Sequence, residues 1–316
     1  MDKYIYHHIQ RTAGTALNQV FASVLGREYV SPSFPAGRLR DMLKENQRYR
    51  LIQGHFTYLP SDKLPGNYLA ATLLRDPVER CLSWYYYCRL NVPESIADDD
   101  YSVHAAKTMS LAEYFHCDNP IVLAHVSNYQ ANILMPLEWD GVTLPTDTEI
   151  LALSTKAIDQ FDVVGVHESL VDFIDVLCFR WGWGLVDSIP IVNATSNRPS
   201  YHEISPEIRQ RLMAMNEIDV ELYQYIKARF ENDRRQIIRS CVSLNTKAPI
   251  ALRSIKCHEP PSSVSIFTEF GNRILEFQRA EVSGQISLSS QILSGEFVNV
   301  VLLSAIPGGI LKWRNS

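Results

Sequence analysis

Two rhythms of apolar and polar positions alternate along most of this chain. Residues 3–9 are a short apolar run of strand length, and from Gly14 to Leu25 the side chains Leu17, Val20, Phe21 and Val24 recur at helical spacing. This predicts a strand, a turn and a helix in succession. A second helical stretch near 38–46 leads into "YRLIQGHF" (49–56), a short strand, and "NYLAATLLRDP" (67–77) is a third. Pro77, whose fixed φ suits a first helical turn, then opens a helix from Val78 to Leu90.

Further on, the acidic run Asp98-Asp99-Asp100 predicts an exposed loop, and 110–135 reads as helical. "FDVVGVHE" (161–168) is a fourth strand leading into an amphipathic helix from Leu170 to Trp181, and "IPIVNAT" (189–195) is a fifth. Ser205 as cap and Pro206 in the first turn start one long helix reaching residue 230. Strands alternating with helices imply an α/β fold, with a mainly parallel sheet and helices on both faces. After residue 240 the texture changes. Residues 263–305 alternate with period two, punctuated by Gly271, Gly284 and Gly295, which predicts a small β-rich C-terminal module. The stretch 244–263, with Pro260-Pro261, reads as a linker, so two domains are expected, 1–243 and 244–316.

Composition narrows the function classes. With 316 residues, 46% of them hydrophobic, the chain has ample material for a packed core. A formal net charge of −5 and a pI near 6.0 argue against nucleic acid as partner, because phosphate neutralisation needs a basic face. The six cysteines, Cys81, Cys88, Cys117, Cys178, Cys241 and Cys257, are scattered without metal-ligand spacing, so free thiols are expected rather than a disulfide frame or a zinc site. A strand-like segment begins at once, and no apolar run reaches about 18 residues. A cytoplasmic protein without a transmembrane segment is the expectation. Asn193-Ala194-Thr195 fits a glycosylation pattern, which that setting discounts.

The chemistry concentrates in two stretches. In "YHHIQRTAGTALNQVF" (6–21) a strand runs through Gln10 to Ala16 into a helix, and such a turn offers free backbone N–H groups and the positive end of a helix dipole to an anion. Arg11 supplies a charge, Thr12 and Thr15 supply hydroxyls, and Ala13, Gly14 and Ala16 let the backbone approach a ligand. The triphosphatase pattern GxxxxGK[ST] is missing, which removes the main support for a kinase or ATPase. In "LLRDPVERCLSWYYY" (73–87), Arg75 leaves a strand end and Ser83 follows two helical turns on, so the pair can meet a second phosphate. Taken singly, each stretch also fits a structural turn and helix cap.

Together the two stretches resemble the sulfotransferases that use 3′-phosphoadenosine 5′-phosphosulfate (PAPS), particularly the heparan sulfate and dermatan or chondroitin 2-O-sulfotransferase branch. Arg11-Thr12-Ala13-Gly14-Thr15 aligns with that family's 5′-phosphosulfate motif, with Gln10 standing in place of its proline and Arg11 in place of its lysine. Arg75 to Tyr86 matches its second motif, with Trp84 as a variant position. The resemblance covers roughly residues 1–235. It implies a P-loop-like sheet, PAPS as donor, Arg11 and the 12–16 loop at the phosphosulfate, and Arg75 with Ser83 at the 3′-phosphate. His55 in "IQGHFTYL" resembles the branch's Gly-His element and would be the general base, with Gln53 where a second histidine often stands. Of His7 and His8, on opposite faces of the first strand, at most one points to the cleft. Thr195 and Ser196 resemble a late donor-contacting loop. No metal is required in this scheme. The acceptor implied is a hydroxyl of a carbohydrate, such as a polysaccharide precursor or glycolipid in a bacterial-type setting, with a small-molecule alcohol behind it. A catalytically silent glycan- or nucleotide-binding protein of the same fold stays open beside it, because Arg11 keeps the lysine's charge but not its geometry.

Overall fold

The computed structural model describes residues 3–34, 38–45, 48–64, 66–97, 99–136, 145–183, 186 and 198–235 and, from 238 on, the strands named below. Among the described residues, β1 (Lys3–His7), β2 (Leu51–Gly54), β3 (Tyr68–Leu74) and β4 (Val163–Val166) pair in the order β2-β1-β3-β4, all parallel. The register sets His7 beside Gly54 on one side and beside Thr72 on the other, and Leu74 beside Val166. Because every strand runs the same way, the residues that follow them, His8, His55, Arg75 and His167, all leave from one edge of the sheet. The order reverses at β1, since the chain goes to β2 on one flank and returns to β3 on the other. Open α/β sheets leave a ligand crevice at such a reversal.

Helices cover both faces. α1 (Gly14–Leu25) lies on the face of Tyr6, whose ring meets that of Phe21 edge-on with centroids 5.2 Å apart. On the other face, Leu39 and Met42 of α2 (Leu39–Glu45) pack with Ile5, Ile52 and Phe56. Double-sided burial is why these strands read as continuous apolar runs rather than as alternating ones. Gly54 is needed for a local reason: a Cβ there would stand 2.6 Å from the carbonyl oxygen of Phe34.

After β3 come α3 (Pro77–Asn91), α4 (Glu94–Ala97), α5 (Tyr101–Thr108), α6 (Leu111–His116), α7 (Pro120–Val126), α8 (Tyr129–Leu134) and α9 (Asp147–Ile158). Within the acidic run, Asp99 lies exposed in the turn before α5, and Asp98 is outside the described residues. Asp100 caps α5, accepting from the backbone N–H of Ser102 at 2.9 Å and of Val103 at 3.4 Å, and Val103, Ala105 and Ala106 behind it are buried. The helical stretch 110–135 is three short helices, each restarted by its own cap residue at Ser110, Asn119 or Asn128. α10 (Leu170–Arg180) follows β4.

The long helix expected over 205–230 is broken in two, α11 (Pro206–Met215) and α12 (Glu217–Arg235). Asn216 makes the break: its Nδ2 donates to the Leu212 carbonyl at 2.9 Å and its Oδ1 accepts from the Asn128 N–H at 3.0 Å. From there α8 and α12 cap each other. Asn128 Oδ1 accepts from the N–H groups of Ile218 (3.1 Å) and Asp219 (3.2 Å), while the Asp219 carboxylate accepts from Gln130 (3.0 Å) and Ala131 (2.7 Å). Four first-turn amides thus find partners about ninety residues away in the chain, satisfying donors that a helix cannot satisfy internally. The fifth strand expected at 189–195 lies outside the described residues.

Packing divides the chain into two compact units, Met1–Leu170 with Pro190–Ala228, and Val171–Ile189 with Arg229–Ser316. The second carries β5 (Ile238–Asn245), β6 (Ile250–Lys256), β7 (Ser263–Thr268), β8 (Arg273–Gln278), β9 (Gln285–Ser287), β10 (Ile292–Leu293), β11 (Phe297–Ser304) and β12 (Lys312–Asn315). Antiparallel pairing joins β5-β11-β7-β8, and β6 pairs antiparallel with β9, β10 and β12. β5 and β6 overlap 244–263, so strand pairing begins ahead of the period-two stretch.

Asp219 is fully buried. Its replacement by alanine leaves two enclosed amides without acceptors, each costing about 1–3 kcal/mol. Asp219→Ala should therefore lower stability by about 3 kcal/mol, read as the shift in urea midpoint, against little change for Glu221→Ala on the exposed side of the same helix.

Candidate anion and acid–base site

The turn from β1 to α1 is built on a strained backbone. Arg11 (φ 71°) and Ala13 (φ 61°) occupy the left-handed region, flanking Thr12 on negative φ. Such non-glycine positions cost on the order of 1 kcal/mol each and persist where their surroundings enforce them. Thr12 is fully buried and its hydroxyl donates to the Ile9 carbonyl at 2.7 Å, so this side chain closes the turn. Ala13 stands at the N-cap of α1 and offers no side-chain acceptor. By contrast, α3 is capped by Asp76, whose Oδ1 accepts from the Glu79 N–H at 3.0 Å. The positive end of α1 therefore has no neutralising side chain at its cap, which is the condition under which a helix end holds an external anion.

Gly14 is required by a neighbour rather than by its own φ. The imidazole of His8 lies against its Cα so closely that a Cβ would fall 1.8 Å from His8 Cε1. His8 Nε2 is buried at that contact without a hydrogen-bond partner among the described residues.

The two motif stretches meet through their arginines. Arg11 Nε donates to Ser83 Oγ at 3.2 Å, its guanidinium carbon sits 4.2 Å from the Tyr87 ring centroid, and Arg75 Nη1 donates to the Arg11 carbonyl at 3.2 Å. A third guanidinium arrives from 198–201. Arg198 Nη2 pairs with Glu79 Oε2 at 2.5 Å, and the same oxygen lies 3.6 Å from Arg75 Nη2. Burial lowers the pKa of Arg75 to about 10, with repulsion from Arg198 and Arg11 adding to it and Glu79 and Glu168 opposing it. Burial likewise lowers that of Arg11, and Arg198 and Arg80 add to it. At about 10, Arg75 stays charged at neutral pH. Arg75 is fixed by a neutral clamp: the Gln130 side chain accepts from its N–H at 3.0 Å and donates to its carbonyl at 2.9 Å.

On the other side of His8 stands His55. The two rings are 4.3 Å apart between centroids, and His55 Nδ1 lies 2.9 Å from the His8 carbonyl oxygen. A carbonyl can only accept, so this contact is a hydrogen bond in the Nδ1–H tautomer, which leaves a lone pair on Nε2. Burial holds the pKa of His55 below the ordinary histidine value, with the bond to the His8 carbonyl opposing the shift. The ring is neutral at pH 7 and able to take a proton. His167, after β4, is pushed down to about 4 by burial and then by Arg75 and Arg198, so it adds no charge there.

Of the residues singled out in the sequence, Arg11, Ser83 and Arg75 are brought into contact, and Gly14 and His55 are joined to each other through His8. Thr15 is exposed at the start of α1, while Ala16 faces the core. Gln53 is buried and ties β2 to α1 through Asn18 Oδ1 at 2.7 Å. Thr195 and Ser196 lie outside the described residues. Sequence reading weighed His8 for the cleft and Glu79 only as a structural partner of Arg75, a pair now found at 3.6 Å. It missed Gln130, and it picked Thr195 and Ser196 rather than Arg198 from the late loop-like stretch. Two cavities of about 610 and 580 Å³ lie apart from this cluster, one beside Ser61, Lys156 and Gln160 and the other along α11 and α12. We place the site by its converging charges rather than by cavity size.

Among the described residues, Cys81, Cys88 and Cys117 are free thiols, no group of three or more His, Cys, Asp or Glu could hold a metal ion, and no helix is long and apolar enough to cross a membrane.

His7, enclosed beneath Phe56, is lowered to about 4 mainly by burial. The unfolded chain therefore takes up this proton first, so the stability it contributes is present above pH 6.5 and lost as pH falls toward 4, by up to about 3 kcal/mol. The urea midpoint should drop over that interval, and His7→Phe should flatten the drop. Gly14→Ala should displace the His8 ring and lower the melting temperature, with His8→Ala in the same chain restoring part of the loss. No family model matches the chain, and a search of curated proteins finds no match.

Proposed function

We propose that this protein is a PAPS-dependent O-sulfotransferase. The observation that carries the reading is the Arg11–Ser83 hydrogen bond beside the uncapped start of α1, which draws the two anion-binding stretches into one cluster with His55 nearby. In this reading the α1 amides and Arg11 hold the 5′-phosphosulfate, and Arg75 and Ser83 take the 3′-phosphate. His55 Nε2 removes the proton of an acceptor hydroxyl, the hydroxyl oxygen bonds to sulfur, and the bond from sulfur to the phosphate oxygen breaks. The electron pair leaves on 3′-phosphoadenosine 5′-phosphate. Fixed cations and helix amides stabilise that developing charge without reorganisation, the condition under which such groups are most effective. A sulfuryl group carries less charge than a phosphoryl group, so the scheme asks for no metal.

The same reading makes the sheet P-loop-like, the strands after residue 244 an accessory module, and the setting cytoplasmic. The acceptor is a carbohydrate hydroxyl, on a polysaccharide precursor or a glycolipid. One observation favours the silent binding protein instead: Arg11 is already engaged with Ser83 and Tyr87, and in transfer it would have to reach the bridging oxygen. Both readings share the nucleotide, so transfer decides between them.

With radiolabelled donor and mixed glycans, the wild type should transfer sulfate. His55→Ala should lose about a hundred-fold or more in turnover, as expected for removal of a general base, while calorimetry shows 3′-phosphoadenosine 5′-phosphate binding within about three-fold of wild type. Equal loss of binding would remove His55 from that role. Tighter binding of ATP with magnesium than of the bisphosphate would overturn the donor assignment.

A further inference from the structure

We infer that Glu79 is a positioning residue that aligns Arg75 and Arg198 on a single phosphate-like anion and couples occupancy of that position to the docking of residues 198–201. The inference goes beyond the proposed transfer reaction and rests on it only for the identity of the nucleotide.

The geometry divides the Glu79 carboxylate between two tasks. Oε2 faces both guanidinium groups, at 2.5 Å from Arg198 Nη2 and 3.6 Å from Arg75 Nη2, and Oε1 accepts the backbone N–H of Tyr201 at 2.7 Å. One side chain on the first turn of α3 thus holds the arginine that ends β3, the arginine of a segment more than a hundred residues later, and the backbone of that segment. Its pKa lies below the ordinary carboxylate range. Burial opposes that shift, and it is outweighed by the hydrogen bonds from Arg198 and Tyr201 and the two arginine charges.

The donors this arrangement leaves over point to a ligand. Arg75 Nε and Arg198 Nη1 are both buried with no hydrogen-bond partner among the described residues. A guanidinium is a planar fork that cannot be deprotonated at physiological pH, so an enclosed N–H on it is costly until an oxygen reaches it. Charge says the same. Arg198 repels both Arg11 and Arg75, and among the described residues Glu79 is paired directly with Arg75 and Arg198 but not with Arg11. His167 is neutral, and Glu168 is occupied by the Asp76 N–H and the Tyr223 hydroxyl. A dianion between Arg75 and Arg198 would supply the missing acceptors and relieve the repulsion. The segment carrying Arg198 should then dock more firmly when the anion is bound.

The backbone N–H of Tyr201 reports the coupling directly, because it donates to Glu79 itself. Hydrogen exchange at Tyr201 and calorimetry should be run together on the whole chain, with 3′-phosphoadenosine 5′-phosphate and, separately, inorganic pyrophosphate as probes. In the wild type, either probe should slow exchange at Tyr201 several-fold. Arg198→Met should weaken probe binding about ten-fold or more, the scale of a lost charge-assisted bond, and should lower ligand-free protection of Tyr201 less than Glu79→Ala does. Glu79→Ala should abolish that protection and weaken binding. Glu79→Gln, which keeps an oxygen for the Tyr201 N–H, should restore the protection and part of the affinity. Should Glu79→Ala fail to fold, the Arg198→Met and Glu79→Gln arms still decide. Unchanged affinity in Arg198→Met, or Tyr201 exchange indifferent to both probes, would overturn the inference. Response to pyrophosphate without response to the bisphosphate would uphold it and remove the nucleotide reading instead.

Discussion

Three like charges held close together, with one carboxylate between them, set the terms for the rest of this molecule. Burial disfavours the charged state of Arg11 and Arg75, and the nearby Arg198 adds to that penalty at both. Left to themselves, long side chains would swing apart into water. Arg11 is tied by groups that do not cancel its charge, the Ser83 hydroxyl and the Tyr87 ring, the Gln130 amide clamps the backbone of Arg75, and Glu79 holds Arg198. Among the described residues, Glu79 pairs with Arg75 and Arg198, and Glu168 offsets part of the charge on Arg75. Much of the scaffold around Arg11 and the backbone of Arg75 is therefore neutral, and part of the positive charge is left unpaired among the described residues.

The same logic explains why the site sits on the carboxyl edge of the sheet. Parallel pairing forces His8, His55, Arg75 and His167 to leave neighbouring strands at one edge, and the reversal of strand order at β1 leaves room between them. Strain in the β1–α1 turn then sets the direction of Arg11. With Arg11 and Ala13 in the left-handed region, the chain turns into α1 without a capping side chain, and the helix end is left for a ligand.

Much of this architecture was legible in the chain because it depends on local pattern. The apolar spacing from Gly14 to Leu25 marks α1 at both ends, and Asp76-Pro77 marks the start of α3. What was not legible depends on contacts between distant residues. Helical periodicity runs straight through 205–230, and only the partnership of Asn216 with Asn128 breaks it. Asp98 to Asp100 reads as solvated charge until Asp100 is seen to cap α5. In the site, the motif residues could be named, but the role of Thr12 could not. A threonine in a phosphate-binding pattern looks like a ligand, and here its hydroxyl is turned inward to Ile9. Arg198 and Gln130 carry no local signature at all, since their roles exist only once the chain has brought them to Glu79 and Arg75.

The mutual capping of α8 and α12 has a consequence for how the protein is made. The Gln130 side chain grips Arg75 while its backbone N–H donates to Asp219, which lies far downstream of both. A chain emerging from the ribosome can form its first strands and helices early, but it lacks this support until the start of α12 has been synthesised and has returned to Asn128. Contacts of such long sequence separation form late and slowly. A nascent or truncated chain ending before Glu217 would thus carry the motif residues without the carboxylate that accepts from the Gln130 and Ala131 amides.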